Sequence, residues 1–219
     1  MNNIELDMDT GLSKKEREIT LGADTGVLYS KDGLRLLRVY DNCQHFVVKA
    51  GVKVICDEAF KGLTQLKTVD FPDSLELIGQ SAFEGCLQLA EVNNLEKVDI
   101  IYGSAFRGTG LNKLDTSKWC GKKKLVIMEN AFADCKSLKE VVLGKDTRIL
   151  GGKEFSGCSS LVSVRFENNG IIPDRHAKDP LHIPHSATMF DGCESLQTIS
   201  LPEGSDVDFG MYSGKMKEE

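Results

Sequence analysis

The stretch AFEGCLQL at residues 82–89 is one of six near-copies of a single phrase in this 219-residue chain. The other copies are AFKGLTQL at 59–66, AFRGTGL at 105–111, AFADCKSL at 131–138, EFSGCSSL at 154–161 and MFDGCESL at 189–196. The steps between their phenylalanines are 23, 23, 26, 23 and 35 residues. A period in the twenties is too short for a helix pair or a propeller blade, so the spacing predicts a solenoid.

Apolar residues keep fixed distances from each phenylalanine, which predicts columns of side chains in a shared core. Five residues before the phenylalanines stand Ile55, Ile78, Ile101, Ile127 and Leu150. Six residues after them stand Leu66, Leu89, Leu138, Leu161 and Leu196, whereas Leu111 comes one place early because Gly110 ends a shortened turn. Each repeat is therefore expected to form one turn around the same interior.

Two short strands are predicted in each turn. The segments LKTVDFP, LKEVVLG, LVSVRF and LQTISLP follow the phrase and alternate apolar with polar residues, as a half-buried strand does. A second apolar run precedes the phenylalanine in VKVI (52–55), LELI (75–78), VDII (98–101) and LVIM (125–128). The A-F-x-G-C stretch between the two strands favours a tight helical turn over a long helix.

The pattern resembles the BspA-like branch of the leucine-rich repeat family, whose unit runs approximately L-P-x-x-L-x-x-I-x-x-x-A-F-x-x-C-x-x-L-x-x-I-x-L-P. The resemblance covers about Val52 to Pro202, with Ala-Phe in four repeats and cysteine in four. It implies a mostly β, right-handed, curved solenoid with two short strands per turn joined by short helical turns. The departures are Leu63 and Thr109 for cysteine, Glu154 and Met189 for alanine, and His185 where the isoleucine column is expected to break.

The two ends of the chain are predicted to differ from the repeats. Residues 1–24 form a polar segment, and residues 25–51 resemble an entry module with a β-hairpin turning through Lys31-Asp32-Gly33. We interpret this hairpin as a cap for the solenoid of residues 52–203, because an uncovered first turn leaves an open strand edge. The polar tail of residues 204–219 is either a frayed end or a short shield.

The cysteines and histidines are the candidate residues for disulfide, metal-binding or redox roles. Seven cysteines are an odd number for a disulfide framework. Four of them, Cys86, Cys135, Cys158 and Cys193, share one repeat position and are predicted to form an interior column rather than a metal or redox site. The long last repeat carries His176, His182 and His185 beside Asp174 and Asp179 among three prolines. Its spacing matches no standard zinc signature, so the 167–187 segment is either an inert bulge or a protruding contact loop.

Trp119 lies in a smaller excess, LDTSKWCGKKKL, beside Lys122 to Lys124. It is either an exposed anchor or a cover for the stretched core, and we favour the cover. No serine or cysteine stands in a recognisable nucleophile motif, and no phosphate-binding or dinucleotide fingerprint occurs. We therefore predict neither catalysis nor a cofactor.

Strand alternation predicts which residues form the outer surface, because Leu66, Val69 and Phe71 inward place Thr68 and Asp70 outward. One outward row is Thr68, Glu91, Lys113, Glu140, Ser163 and Thr198. Its neighbour is Asp70, Asn93, Asp115, Val142, Arg165 and Ser200. Six strands about 4.8 Å apart give a ladder roughly 24 Å long. Its N-terminal end is acidic, which favours a basic or amide-rich partner, although the face is equally consistent with simple solvation.

Net charge and hydropathy argue against two classes of function. A net charge of -6 argues against a nucleic-acid groove, and no apolar run approaches the length of a membrane span. The first twenty residues lack an apolar signal-peptide core, so the chain as written is not expected to be exported, whereas the resembled family is often secreted or surface-exposed. The leading hypothesis is a module that binds a protein or peptide, and less readily a glycan, with adhesion implied by the resemblance. A spacer or self-assembly domain and a metal site in the histidine loop are the alternatives.

Overall fold

The computed structural model describes residues 9–21, 26–119, 124–167, 185–205, 207 and 209–218. The chain is a mostly β solenoid of about six turns, with one sheet on one side and two shorter sheets on the other. The elements outside the sheets are helix α1 (Lys14–Leu21), helix α2 (His185–Thr188) and two 3₁₀ helices at Leu95–Lys97 and Gly210–Lys215.

A seven-stranded sheet forms the first side of the solenoid. Its strands, in spatial order, are β1 (Val27–Tyr29), β2 (Arg35–Val39), β4 (Val54–Ile55), β6 (Leu77–Ile78), β8 (Ile100–Ile101), β10 (Leu125–Met128) and β12 (Thr147–Leu150). All neighbours are parallel except β1 and β2, which pair antiparallel as a hairpin. The parallel strands are the apolar runs that precede each phenylalanine.

Two sheets form the second side. The first contains β3 (His45–Val47), β5 (Thr68–Asp70) and β7 (Glu91–Asn93). The second contains β9 (Lys113–Asp115), β11 (Glu140–Leu143), β13 (Ser163–Phe166), β14 (Thr198–Leu201) and β15 (Met216–Glu218). The ladder predicted from alternation is therefore present, but it is divided between β7 and β9.

The six repeat phenylalanines form one continuous stack in the core. Consecutive ring centroids are 4.6, 5.1, 5.3, 5.8 and 6.0 Å apart from Phe60 to Phe190, and the planes of each pair lie within 17° of parallel. All six rings are fully buried. This spacing is close to the separation of neighbouring strands, so the repeat register predicted from the sequence is confirmed across all six turns.

The segment around each phenylalanine is a run of hydrogen-bonded turns and not the predicted helical turn. In the first repeat, Ala59 donates to the carbonyl of Cys56 and Leu63 to that of Phe60. Left-handed backbone conformations interrupt the run two residues before and after the ring, at Glu58 (φ 58°) and Gly62 (φ 77°). Because a 3₁₀ helix requires successive negative φ values, this alternation prevents a regular helix.

The cysteine column lies in the interior, as the sequence predicted. The thiols of Cys86, Cys135, Cys158 and Cys193 are buried and donate to the carbonyl of the preceding turn's phenylalanine at 3.0 to 3.2 Å. Where Thr109 replaces the cysteine, its hydroxyl donates to the carbonyl of Phe106 at 2.9 Å. Five of the six repeats therefore have a small side chain with one donor at this position, and Leu63 in the first repeat is the exception.

The isoleucine column shifts by one residue in the fifth turn. Ile149, and not Leu150, pairs with Ile127 and is buried in the main core. Leu150 packs instead against a smaller cluster on the outer face of the seven-stranded sheet. The assignment of Leu150 to the column was wrong because this turn has one extra residue, which Gly151 accommodates at φ 142°. The column does not continue into the last repeat, where His185 begins α2.

The N-terminal segment contains a helix that we did not predict. Ser13 and Glu16 form a reciprocal capping box, with their backbone amides bonded to each other's side chains at 2.9 and 3.3 Å. Arg35 of β2 pairs with Glu16 at 3.3 Å, and the amide of Asp57 donates to the carbonyl of Thr10. Residues 9–21 therefore lie against the outer face of the seven-stranded sheet, and the S-x-x-E signature was the available signal.

The C-terminal tail extends the solenoid rather than fraying. β15 pairs parallel with β14, and Phe209 is fully buried at 5.4 Å from the ring of Phe190. Tyr212 meets the same ring edge-on at 6.4 Å. Of the two alternatives left open by the sequence, the shield is the one the structure supports. Among the helices that the structure describes, none is long and apolar enough to cross a membrane.

Candidate functional site

The predicted outward rows occupy matching positions on neighbouring strands. In the first sheet, Thr68 pairs with Glu91 and Asp70 with Asn93. In the second, the paired series are Lys113, Glu140, Ser163, Thr198 and Asp115, Val142, Arg165, Ser200. We call this surface, made of the outward residues of β3, β5, β7, β9, β11, β13 and β14, the ladder face. Within each sheet the predicted residues pair in the predicted order, but the two rows are not continuous from β7 to β9.

Two predicted surface residues are nonetheless buried. Val142 is 4% exposed and Ser200 is 6% exposed. Both lie beside Arg165 in the strand register, and Arg165 is itself exposed. A long side chain covers its shorter neighbours with its aliphatic stem, so alternation gives the direction of a side chain but not its exposure. We therefore remove Val142 and Ser200 from the candidate contact residues.

The ladder face begins one strand earlier than predicted. β3 pairs with β5, which places His45 beside Thr68 and Val47 beside Asp70. The His45 ring lies 2.6 Å from the Thr68 hydroxyl and 3.5 Å from the Asp70 carboxylate. Val47 is 61% exposed, which is unusual for an apolar strand residue. The alternation in His45-Phe46-Val47 was the sequence signal for this strand.

Local contacts engage several of the acidic side chains predicted for this face. Asp70 accepts a 2.7 Å hydrogen bond from the Asn93 side chain in addition to its contact with His45. Lys113 lies 3.5 Å from Asp115 and 3.3 Å from Glu140, so one ammonium serves two carboxylates. The hydrogen bond to Glu140 and the negative charge of both acids raise the pKa of Lys113.

Asp115 remains ionised despite its position between neighbouring side chains. Partial burial tends to raise its pKa, but hydrogen bonds from the hydroxyl and amide of Ser117, together with the charge of Lys113, outweigh burial and lower it. The Ser117 hydroxyl donates to Asp115 at 2.6 Å and the amide at 3.0 Å. The carboxylate is therefore held in one orientation on the surface.

The ladder face is interrupted between β7 and β9. Elsewhere, the residue before each strand donates to the previous turn, as Ala90 does to Lys67 and Lys139 to Asn112. No ladder hydrogen bond joins β7 to β9 within residues 90–115, all of which the structure describes. The phenylalanine rings of the same two turns stay stacked at 5.1 Å. The turns thus diverge on one side only.

Departures from the repeat in both turns explain the interruption. The residue after the second outward residue of a ladder strand is buried and apolar in Phe71 and Leu143, but in the second turn it is the exposed Asn94. Asn94 adopts a left-handed conformation (φ 62°) and starts the 3₁₀ helix Leu95–Lys97. In the third turn Gly110 packs so closely that a Cβ there would lie 2.6 Å from the carbonyl oxygen of Leu87. The two strands therefore approach their positions along different paths.

A groove of about 380 Å³ occupies this interruption. Residues 90–92, 95–96 and 111–115 line it. Its charged residues are Glu91, Glu96, Lys113 and Asp115, so three carboxylates face one ammonium. Lys113 and Asp115 pair with each other, whereas Glu91 and Glu96 have no ion pair or hydrogen bond to their side chains among the described residues. We call this feature the split groove. No motif in the sequence indicated that Glu96 would lie in it.

Three of the buried thiols, those of Cys56, Cys86 and Cys193, are unsuited to nucleophilic chemistry. Burial raises the pKa of Cys86 and of Cys193 to about 12 and that of Cys56 to about 11. A thiol acts as a nucleophile only as the thiolate, so these side chains stay protonated and unreactive at neutral pH. In the described part of the chain, no three histidine, cysteine, aspartate or glutamate residues are grouped as metal ligands. His176, His182, Asp174 and Asp179 lie outside the described residues, and so does most of the 167–187 segment.

Trp119 covers the core, as favoured from the sequence. It is partly buried against the main core, and its indole N–H donates to the carbonyl of Val98 at 2.7 Å. This bond joins the third repeat to the segment that follows β7. Trp119 is consequently engaged within the solenoid and is not a free anchor.

Similar solved structures are bacterial leucine-rich repeat proteins. The crystal structure of a leucine-rich repeat protein from T. pallidum is 26% identical, with a TM-score of 0.64, and the match covers 82% of this chain and 81% of that one. The pneumococcal vaccine antigen PcpA is 20% identical, with a TM-score of 0.57. That match covers 88% of this chain but only 44% of PcpA, and at this identity it supports the fold alone.

A family comparison agrees with the repeat analysis. No curated protein matches the sequence significantly. The sequence model of the BspA-type leucine-rich repeat region, which contains six copies of the repeat, matches residues 39–161 and 125–173. These ranges together span more than half of the chain and contain five of the six phenylalanine repeats. The chain therefore belongs to the BspA-type leucine-rich repeat family.

Proposed function

We propose that this chain is a non-catalytic protein-interaction module that binds a partner on its ladder face. The observation that carries the proposal is two in-register sets of polar and charged side chains on paired strands, one from His45 to Asn93 and one from Lys113 to Arg165. Repeats of this family typically mediate protein interactions, and their fold is a non-enzymatic scaffold. A fold of this kind serves many partners, so the partner must be inferred from the surface and not from the architecture.

The chemistry of the ladder face supports a protein or peptide over other ligand classes. Within each of its two sheets, parallel pairing holds neighbouring strands together, and the stacked rings lie in the core behind them. Its charges alternate within short distances, as in the Asp115, Lys113 and Glu140 group. Such a surface offers both donors and acceptors at fixed positions, which supports specificity more than raw affinity.

A pull-down from native-cell extract tests the proposal with a matched control. The ladder variant carries Asp70→Ser, Glu91→Ser, Asp115→Ser and Glu140→Ser. The control carries four exposed acids from other surfaces changed in the same way: Glu18→Ser, Asp73→Ser, Asp146→Ser and Glu194→Ser. We expect a partner that wild type and control retain and the ladder variant loses while remaining folded. A partner retained equally by all three proteins contradicts the assignment to this face.

A further inference from the structure

The split groove presents two strand edges that are hydrogen-bonded on one side only. β7 pairs with β5 and β9 pairs with β11, but neither pairs across the groove. Each of these edges lies inside the solenoid wall, where in every other pair of turns the neighbouring strand satisfies the backbone groups. An unpaired edge is a ready template for another chain, and adding a strand to it is a common mode of peptide recognition.

The shape of the groove limits what it accepts. The edge of β7 is three residues long, or about 10 Å at 3.3 Å per residue. A groove of about 380 Å³ lies near the lower limit of ordinary ligand pockets, so it matches a short extended segment and not a folded element such as a helix. Ala90 and Asn112 lie exposed at its mouth, which leaves the entrance open.

The negative charge of the groove favours a basic occupant. The charged residues that line the groove have a net charge of -2, from Glu91, Glu96 and Asp115 against Lys113. Lys113 is already engaged by Asp115 and Glu140, whereas Glu91 and Glu96 are unpaired within the described chain. A strand laid along β7 directs alternate side chains toward the face on which Glu91 lies. Basic side chains at those positions would meet the two unpaired carboxylates.

We propose that the split groove binds a short, extended, arginine- or lysine-bearing segment of a partner protein, whose main chain pairs with the free edge of β7 and whose basic side chains contact Glu91 and Glu96. This inference rests on the proposed function, because it names the chemistry of the partner for the same face. It also explains why the ladder diverges here while the phenylalanine stack behind it stays continuous. The groove is a binding position built into the repeat, set by Asn94 and Gly110.

Titration with capped pentapeptides, followed by backbone amide shifts, tests the inference. The first peptide alternates threonine with arginine, the second replaces arginine with glutamate, and the third is the arginine peptide with its strand-pairing amides N-methylated. We expect saturable binding of the first peptide with shifts concentrated at residues 90–96 and 111–115. The glutamate and N-methylated peptides are each expected to bind at least about tenfold more weakly, since one lacks the charge and the other the main-chain donors.

A pair of variants keeps the test specific. Glu91→Gln with Glu96→Gln is expected to weaken binding of the arginine peptide about tenfold, whereas Asp73→Asn with Glu194→Gln makes the same charge change elsewhere and is expected to alter it less than about twofold. Shifts spread over the whole face, equal losses in both variants, or no saturable binding would overturn the inference. If the pull-down partner is lost by the four-site ladder variant but kept by Glu91→Gln with Glu96→Gln, the ladder face stands and only the groove is overturned.

Discussion

The seven-stranded sheet and the ladder face enclose the same core, yet only the first is continuous. The phenylalanine stack and the seven-stranded sheet run unbroken from the second turn to the fifth, whereas the ladder face divides between β7 and β9. The difference lies in what each side repeats. Phenylalanine is present in all six copies, but the position after the ladder strand changes from Phe71 to Asn94 and then to Thr116.

This contrast shows that continuity in a solenoid is decided column by column. A column of identical buried side chains keeps neighbouring turns at one spacing because each residue meets its own copy above and below. Where one copy changes to a polar residue with a left-handed backbone, the strand pairing is lost without disturbing the column beside it. A change at one repeat position can therefore open a groove on one side of the solenoid while the other side stays continuous.

The largest effect is expected from breaking the continuous side. Phe132 is fully buried and stacked at 5.3 and 5.8 Å between Phe106 and Phe155. Phe132→Ala leaves a cavity and is expected to lower the free energy of unfolding by about 3–5 kcal/mol. Denaturant unfolding measures this, with Glu140→Ala on the ladder face as the control. Equal losses for the two variants would mean that the column assignment is wrong.

Glu154, which replaces alanine in the fifth repeat, is expected to make the free energy of unfolding depend on pH. Glu154 is fully buried, and neither carboxylate oxygen has a hydrogen-bond partner in the described chain. Burial, with the charge of Glu129, raises the pKa of Glu154 to about 8 from an ordinary value of 4.5. The folded state thus holds this proton more tightly than the unfolded state does.

The sign of the pH effect follows from that difference. The contribution of Glu154 to the free energy of unfolding is fully present below pH 4.5. It is lost as the pH rises toward about 8, by up to about 1.4 kcal/mol per pH unit, because only the unfolded state releases the proton in this range. Glu154→Gln is expected to remove this slope between pH 5.5 and 7.5, as measured by urea unfolding, while the exposed Glu140→Gln leaves it unchanged. The same slope in wild type and Glu154→Gln would contradict the assignment.

A smaller effect on stability is expected from Asn94, the left-handed residue at the interruption between β7 and β9. Asn94 holds φ 62° and donates from its side chain to the carbonyl of Phe71 at 2.8 Å. Asn94→Gly and Asn94→Ala both lose this hydrogen bond, but only alanine resists the left-handed conformation. We expect the alanine variant to be less stable than the glycine variant by about 1 kcal/mol in thermal or urea unfolding. Equal stability would mean that the left-handed residue does not set the path of the chain.

The smallest effect is expected on the ladder face itself. Lys113→Gln removes two exposed ion pairs, with Asp115 and Glu140, and is expected to leave the free energy of unfolding nearly unchanged, because water and salt screen such pairs. The same variant makes the split groove more acidic, so binding of the arginine pentapeptide is expected to strengthen while stability stays nearly constant. A large loss of stability would show that these pairs are structural.

The sequence predicted the repeat, the core and the direction of the ladder residues, because each of these depends on spacing within one turn. Phe60 to Phe190 form the predicted stack, and Thr68 pairs with Glu91 as expected. The prediction failed where a contact outside the local pattern decides the result. Ile149 occupies the column position predicted for Leu150, because the turn contains one extra residue. Val142 is buried, although it lies beside the exposed Arg165 in the strand register. The capping box at Ser13 and Glu16 was readable but was overlooked.

The amino-acid sequence by itself determined that this chain is a solenoid with aromatic, leucine and cysteine columns, because the same burial requirement recurs in every turn and selects the same residues. Only the tertiary structure decided where the ladder divides, which carboxylates Lys113 pairs with, and how residues 9–21 cover the outer sheet. Apart from the Lys113–Asp115 pair, those features depend on residues about twenty or more positions apart meeting across turns. Their geometry is fixed by packing between turns and not by the pattern within one.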